Sequence, residues 1–245
     1  MNINNLIISG KYKEALEEIN SKKEKGEATN YFQEALVLYH LKEYEKAENI
    51  YEELYKNSQD SGDLINSLAL VYKALNKTDK AFLFFQLAFE KGSNQSIYEI
   101  LNMLFERKGI CDYLNCKNSC CNNVILKGVA GKIIKDIFSF ERLMANPNQN
   151  HGWQKVSENK KGEWIFACKH VDDKNVCKIY DSRPQICRDY PSGIFSLKPE
   201  CSYYFELIEN LPKFESKSTL AVVLDILEAF GYQKEKQKLE SNLKQ

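Results

Sequence analysis

The cysteines of this chain are confined to one stretch. All eight fall between residues 111 and 201 of a 245-residue sequence, and neither flank contains a cysteine. Random placement would not leave both flanks empty, so the cysteines form either a metal site or a disulfide framework inside one domain. Their positions are Cys111, Cys116, Cys120, Cys121, Cys168, Cys177, Cys187 and Cys201.

The compartment decides between metal and disulfides. The first ten residues contain no basic region, and their apolar run is too short for a signal peptide. No stretch approaches the roughly 20 apolar residues that a membrane-spanning helix requires. We therefore expect a cytoplasmic protein, in which thiols stay reduced. Clustered thiols there favour metal ligation over a secreted disulfide framework or a set of buried structural cysteines.

The charge balance restricts the partners. Lys plus Arg and Asp plus Glu number 34 each, so the chain has no net charge at neutral pH. No global field favours binding to nucleic acid or to an anionic membrane. We therefore expect neither nucleic acid nor a membrane as a partner.

Residues 1–107 predict a domain of paired helices. Apolar residues recur at helical spacing without any proline, and a small–large pattern repeats around Ala15, Ala47 and Ala81 at steps of 32 and 34 residues. This pattern resembles tetratricopeptide repeats, which have a period of about 34 residues and commonly bind proteins. We expect residues 95–107 to form a bridging helix that covers one face of the third repeat.

The rest of the chain predicts a small α+β domain followed by helices. We expect a helix over residues 124–140, a polar loop over 146–152, and a hairpin whose second strand ends at Cys168. A short helix should end near Pro212, and the last forty residues, 206–245, should form an amphipathic helix and then a charged one. The predicted fold is mainly α, with a cysteine-rich α+β domain over residues 108–205.

One segment is specific enough to suggest a family. From Cys168 to Pro191 the sequence reads C-x8-C-x-I-Y-x-x-R-P-x-x-C-R-x-Y-P. Together with the upstream cluster, which ends in two adjacent cysteines, it resembles the YkgJ-type cysteine-cluster family over about residues 108–205. That family is described as zinc- or iron-chelating, and a related module in flagellin lysine methylases is linked to an iron–sulfur centre. The resemblance implies that this chain binds zinc or an iron–sulfur cluster.

The ligand set stays open at this point. All eight cysteines are candidate ligands, and they could build two four-thiolate centres or one centre with spare thiols. The family spaces its upstream cysteines nearer C-x2-C-x2-C-C, whereas here the spacing is Cys111-x4-Cys116-x3-Cys120-Cys121.

Residues beside the cysteines also suggest roles. Arg183 and Arg188 flank Cys187 and are expected to hydrogen-bond to the anionic centre. His170 is the one histidine near a cysteine, and with eight thiols available it is not needed as a ligand.

Two functions remain open from the sequence. The first is a metal-binding protein in which the helical repeats hold a protein partner. The alternative is an iron–sulfur-dependent redox or protein-modifying enzyme. The sequence contains no phosphate-binding glycine loop and no nucleophile–base signature, so it nominates no catalytic residue.

Overall fold

A computed structural model describes residues 2–57, 61–112, 114, 120–127, 132–145, 152–174, 176–191, 193–196 and 201–242. The described chain is mainly α-helical, with short two-stranded sheets after residue 104, as the sequence predicts. It forms two compact units. The first, the helical unit, contains residues 1–7, 11–106 and 206–245, and the second, the cysteine unit, contains residues 8–10 and 107–205. Residues 206–245 thus fold with the N-terminal helices.

The helical unit contains nine described helices, of which the first seven follow one another with short connections. They are α1 (Ile3–Ile8), α2 (Tyr12–Glu24), α3 (Tyr31–His40), α4 (Tyr44–Lys56), α5 (Gly62–Ala74), α6 (Thr78–Glu90), α7 (Gln95–Leu104), α10 (Lys217–Ala229) and α11 (Gln233–Asn242). From α2 to α7, each helix packs against the next. The predicted helical hairpins are therefore confirmed.

The turns inside the three hairpins are copies of one another. Gly10, Lys42 and Asn76 each adopt a positive φ, at 75°, 65° and 58°. In every case the next residue donates its N–H to a carbonyl five residues earlier, at 2.9 Å. Such a left-handed residue ends a helix by capping its free carbonyl groups. The hairpins thus repeat in backbone geometry at the same 32- and 34-residue steps as the sequence pattern.

The small residues of the repeat lie where helices meet. Ala15, Ala47 and Ala81 are each completely buried. A side chain no larger than a methyl group allows two helices to approach closely. Four residues further on, the bulkier Ile19, Tyr51 and Phe85 are also buried and fill the space between helices; these three continue the repeat.

Helix α6 is enclosed by three other helices. It packs against α5, α7 and α10, which explains why both Phe82 and Phe85 are fully buried. The Gln86 side chain fixes the chain leading into α10. Its Oε1 accepts hydrogen bonds from the N–H groups of Glu215 and Ser216, each at 3.0 Å. The predicted covering helix over residues 95–107 is present, but it ends at Leu104 and strand β1 (Phe105–Lys108) follows.

The C-terminal helices begin close to their predicted positions. The Ser216 side chain caps α10 by accepting a hydrogen bond from the N–H of Thr219 at 3.1 Å, and Gly231 follows the helix with φ of 80°. The predicted short helix before Pro212 is wrong. Strand β4 (Tyr204–Leu207) lies there and pairs with β1, because alternation of buried and exposed residues outweighs helical spacing in so short a segment.

The cysteine unit contains the predicted hairpin. Strands β2 (Trp153–Glu158) and β3 (Trp164–Cys168) pair antiparallel, with Trp153 opposite Cys168. The predicted helix over residues 124–140 is wrong. Val124 instead bridges Phe166, Lys127 bridges Ile133, and a shorter helix, α8 (Ile137–Met144), begins later.

The isoleucines and valines of residues 124–134 explain that error. Their helical spacing is accidental, and β-branched residues pack equally well in extended chain. The predicted loop at residues 146–152 lies outside the described residues except for Gly152. A short helix, α9 (Gln185–Asp189), follows in the cysteine motif. Within the part of the chain that the structure describes, no helix combines the length and apolar character needed to cross a bilayer.

Candidate metal centre

Strand pairing places Cys121 beside Cys168, the last residue of strand β3. One edge of the strand pairs with β2, and at its other edge Phe166 exchanges hydrogen bonds with Val124 at 2.8 and 2.9 Å. The same pairing continues where the N–H of Cys168 donates to the carbonyl of Cys121 at 2.8 Å. Cys168 is itself nearly buried. Strand pairing therefore joins the upstream cluster to the hairpin.

A tight loop returns the chain to Cys177. The Asp172 carboxylate accepts hydrogen bonds from the N–H groups of Lys174 and Val176, each at 2.9 Å, which closes the loop. At its base Val171 bridges Cys177, and the N–H of Lys178 donates to the carbonyl of His170 at 2.9 Å. Cys177 is thereby placed beside the end of β3.

Cys187 is presented by the Arg-Pro turn. A 3₁₀ helix (Tyr180–Ser182) precedes the turn, and helix α9 follows it. The carbonyl of Pro184 accepts hydrogen bonds from the N–H groups of Cys187 and Arg188, at 3.0 and 3.2 Å. Proline suits this place because its fixed φ begins a helix without needing an N–H partner. The peptide bond between Tyr190 and Pro191 is cis.

Four thiols lie close enough to influence one another. Burial, and then the neighbouring thiols of Cys121, Cys168 and Cys177, raise the pKa of Cys187 to about 11. Burial also raises the pKa of Cys168, with smaller contributions from Cys121 and Cys177. Burial and repulsion from neighbouring thiolates both favour the protonated thiols of Cys168 and Cys187. We call these four residues the thiol quartet.

Arg183 lies between the thiol quartet and Cys111. Its guanidinium stacks on the Tyr180 ring at 3.8 Å and donates through Nε to the Tyr180 carbonyl at 2.9 Å. Burial opposes its charge, yet the pKa of Arg183 is raised because Tyr180, Cys111 and Tyr203 surround it. The same cation lowers the pKa of Cys187. Arg183 is thus a cation close to thiols, and its role toward a metal centre stays a prediction.

The remaining described cysteines lie around this group. The sulfur of Cys120 is 4.0 Å from that of Cys121. Cys201 precedes Ser202, whose hydroxyl accepts a hydrogen bond from the N–H of Asp112 at 2.7 Å, so Cys201 lies in the segment next to Cys111. Cys116 lies outside the described residues.

Arg107 is a residue that the sequence did not single out. Its guanidinium donates to the carbonyls of Arg188 and Pro191, at 3.1 and 3.5 Å, and lies over the Tyr203 ring at 4.7 Å. These contacts hold the end of the cysteine motif, residues 188–191, against strand β1, which contains Arg107. A single arginine 81 positions from its partner carries no local signal in a sequence. Arg188 takes part in the site through its backbone carbonyl, which accepts the hydrogen bond from Arg107.

The thiol quartet fits a zinc or iron centre in its donor chemistry. Four thiolates from one chain are the usual ligands of a structural zinc ion and of iron–sulfur clusters. Among the described residues, no three His, Cys, Asp or Glu side chains already have the geometry that holds a metal ion. The four thiols lie near one another, and metal binding would have to bring them closer together. Such a centre would serve as a crosslink or as a redox-active group.

The comparison with known families agrees with this chemistry. Residues 110–203, less than half of the chain, match the model of the CxxCxxCC family, described as a putative zinc- or iron-chelating domain. The match covers all eight cysteines and the Arg-Pro turn. No curated protein and no solved structure matches the chain.

Proposed function

We propose that the cysteine unit binds one zinc ion or iron–sulfur centre through the thiol quartet, Cys121, Cys168, Cys177 and Cys187. The observation that carries the proposal is the meeting of three separate segments at these residues. Cys121 and Cys168 are joined by strand pairing, Cys177 by a closed loop, and Cys187 by the Arg-Pro turn. Thiols from distant parts of the chain thus lie close together, as the ligands of one metal centre would.

The surroundings support an anionic centre. Four thiolates on a divalent ion carry two net negative charges, and burying them requires nearby cations and N–H donors. Arg183 supplies the cation, and the His170 N–H hydrogen-bonds to the Cys168 sulfur and lowers its pKa. A complete set of four protein ligands occupies every position of a tetrahedral ion. The proposal therefore favours a structural or sensing centre over the enzymatic alternative.

The protein can be tested directly for this centre. Purified without oxygen, it should contain one zinc ion or one iron–sulfur centre per chain by elemental analysis. An iron–sulfur cluster would also give the protein visible absorption, whereas zinc would leave it colourless. Protein purified in this way that contains no metal, and that reacts with thiol reagents at every cysteine, would contradict the proposal.

We infer that the helical unit is a tetratricopeptide domain that binds a protein. The repeated turns and the buried alanines support this assignment. Helices α3, α5 and α7 also share a polar and aromatic face. On it, the Lys73 amine of α5 pairs with the Glu99 carboxylate of α7 at 2.7 Å, and the pKa of Tyr39 on α3 is raised by burial and then by the charges of Tyr44 and Glu99.

The partner face can be located by crosslinking. Tyr98 is exposed on α7, next to Glu99, and Leu83 is exposed on α6, the second helix of its hairpin. A photoreactive residue at Tyr98 should capture a discrete protein in cells, whereas the same residue at Leu83 should not. Equal capture at both positions would contradict a binding face on α3, α5 and α7.

A further inference from the structure

Two large apolar side chains at the start of helix α8 are exposed on the surface of the cysteine unit. Ile137 is 58% exposed and Phe138 is 70% exposed. Lys135, which is also exposed, lies just before them. Neighbouring apolar side chains this exposed are unusual on a surface that touches only water, and they commonly mark an interaction site.

Phe140 holds the helix against the sheet, so the exposed end of the helix has a fixed direction. Phe140 stacks on Phe166 at 5.1 Å and lies 6.5 Å from the Trp164 ring. The Asp136 side chain caps the helix by accepting from the N–H and the hydroxyl of Ser139, both at 2.8 Å. Phe138 lies two residues before Phe140 and therefore projects from the opposite side of the helix, and Ile137, the first residue of the helix, is also exposed to solvent.

Lysines surround this exposed end. The Lys135 amine donates to the carbonyl of Lys161 at 3.2 Å, which ties it to the turn between β2 and β3. That turn presents Lys160 and Lys161, both exposed, and the Asn159 side chain fixes it by accepting from the Lys161 N–H at 2.9 Å. We call Lys135, Ile137, Phe138, Lys160 and Lys161 the basic–apolar face.

The acidic residues nearby cancel only part of this charge. Residues 127–164 contain seven Lys and Arg against four Asp and Glu. Three of the four acids have partners inside the unit: Asp136 caps α8, Glu158 pairs with Lys155, and Glu163 accepts from the Asn159 amide at 2.7 Å. The fourth, Glu141, lies on the next turn of α8. The zero net charge of the chain thus conceals a local positive excess.

We propose that the basic–apolar face docks the protein on an anionic lipid bilayer. Lysine amines at the level of the head groups and apolar side chains at the acyl boundary are the arrangement that binds proteins to such surfaces. Ile137 favours lipid over single-stranded nucleic acid, because an aliphatic side chain offers no face on which a base can stack. The proposal is independent of the proposed metal and partner functions.

Vesicle cosedimentation tests the docking face with the full chain. The protein should sediment with vesicles containing phosphatidylserine and much less with vesicles of phosphatidylcholine alone. Binding should weaken as salt rises, because salt screens exposed charges. Replacing Lys160 and Lys161 by Gln should weaken binding about fivefold for each lysine. Phe138→Ser should also weaken binding, because it removes an apolar side chain from the acyl boundary. Since Phe138 is exposed, the substitution should leave the unit folded.

Matched variants separate this face from general effects of charge and hydrophobicity. Lys13 and Lys25, exposed in the helical unit, replaced together by Gln remove the same charge, and Leu83→Ser removes an exposed apolar side chain from α6. Both controls should bind like the unchanged protein. Equal binding to both kinds of vesicle, or equal loss in the controls, would overturn the proposal. Binding to a single-stranded oligonucleotide instead, lost on Phe138→Ser, would assign the face to nucleic acid.

Discussion

The N–H of Cys168 donates to the carbonyl of Cys121 at 2.8 Å. This hydrogen bond continues the strand pairing of Phe166 with Val124, and it brings together the two halves of the cysteine motif. The fold of the cysteine unit thus places thiols from distant segments next to one another. The predictions below test that arrangement and the repeated hairpins.

The pKa of Cys187 predicts how the metal-free protein responds to alkali. Burial, with help from its thiol neighbours, raises the pKa to about 11, from an ordinary value of 9.0. The folded protein therefore favours the protonated thiol, and this contribution to stability is complete below about pH 9. It is lost as the pH rises through about 11.

The measurement compares thermal unfolding of the metal-free protein and of Cys187→Ala. The difference between their melting temperatures should shrink from pH 9 towards pH 11. A difference that stays constant across that interval would show that Cys187 is not held as a buried thiol.

Gly109 should be irreplaceable in the cysteine unit. Its φ is 83°, and an added Cβ would lie 2.6 Å from the carbonyl oxygen of Ser202. Gly109→Ala should therefore lower the free energy of unfolding by more than the roughly 1 kcal/mol that a left-handed alanine usually costs. Gly162 is the control, with φ of 70° and open space around it. Denaturant unfolding that gives equal losses for the two variants would contradict the close approach.

Lys42 should be less favourable than glycine at its position. It holds φ of 65° in the second hairpin turn, where the first hairpin has Gly10. Lys42→Gly should raise the free energy of unfolding by up to about 1 kcal/mol, because glycine adopts this conformation without strain. Lys46→Gly, inside α4, should instead lower it by about 1 kcal/mol. If Lys42→Gly destabilised the protein as Lys46→Gly does, the repeated turn would be wrong.

Ala81 should tolerate no larger side chain. It is fully buried where α6 meets its neighbours. Ala81→Trp should lower the free energy of unfolding by ~1–3 kcal/mol or more through overpacking. Ala221→Trp on α10, an exposed position, should change it little. An unchanged melting temperature for Ala81→Trp would show that this helix interface is not closely packed.

The helical unit was largely predictable from the sequence, because its signals are local. The spacing of Ala15, Ala47 and Ala81 gave the period, and helix-forming residues without proline gave the element type. The positive φ of Lys42 was not predictable, since lysine seldom adopts it and only the hairpin imposes it. The strand at Tyr204–Leu207 was missed because four residues carry too little periodicity to oppose a helix.

The cysteine unit was predictable in its chemistry but not in its arrangement. The confinement of the cysteines and the Arg-Pro motif indicated a metal site, and the hairpin ending at Cys168 was found by alternation. Which thiols meet depends on Cys121 pairing beside β3 and on the loop closed by Asp172. Such long-range pairing has no local signature. The ligand roles of the eight cysteines therefore stay predictions.

The most direct measurement is the metal content of Cys187→Ser beside that of Cys201→Ser. Serine is a far poorer ligand for zinc or iron than thiolate, so Cys187→Ser should lose the metal and become sensitive to protease between residues 108 and 205. The helical unit should retain its circular dichroism. Cys201→Ser, outside the thiol quartet, should keep the metal stoichiometry of the unchanged protein. Full metal content in Cys187→Ser, or its loss in Cys201→Ser alone, would contradict a centre built on the quartet.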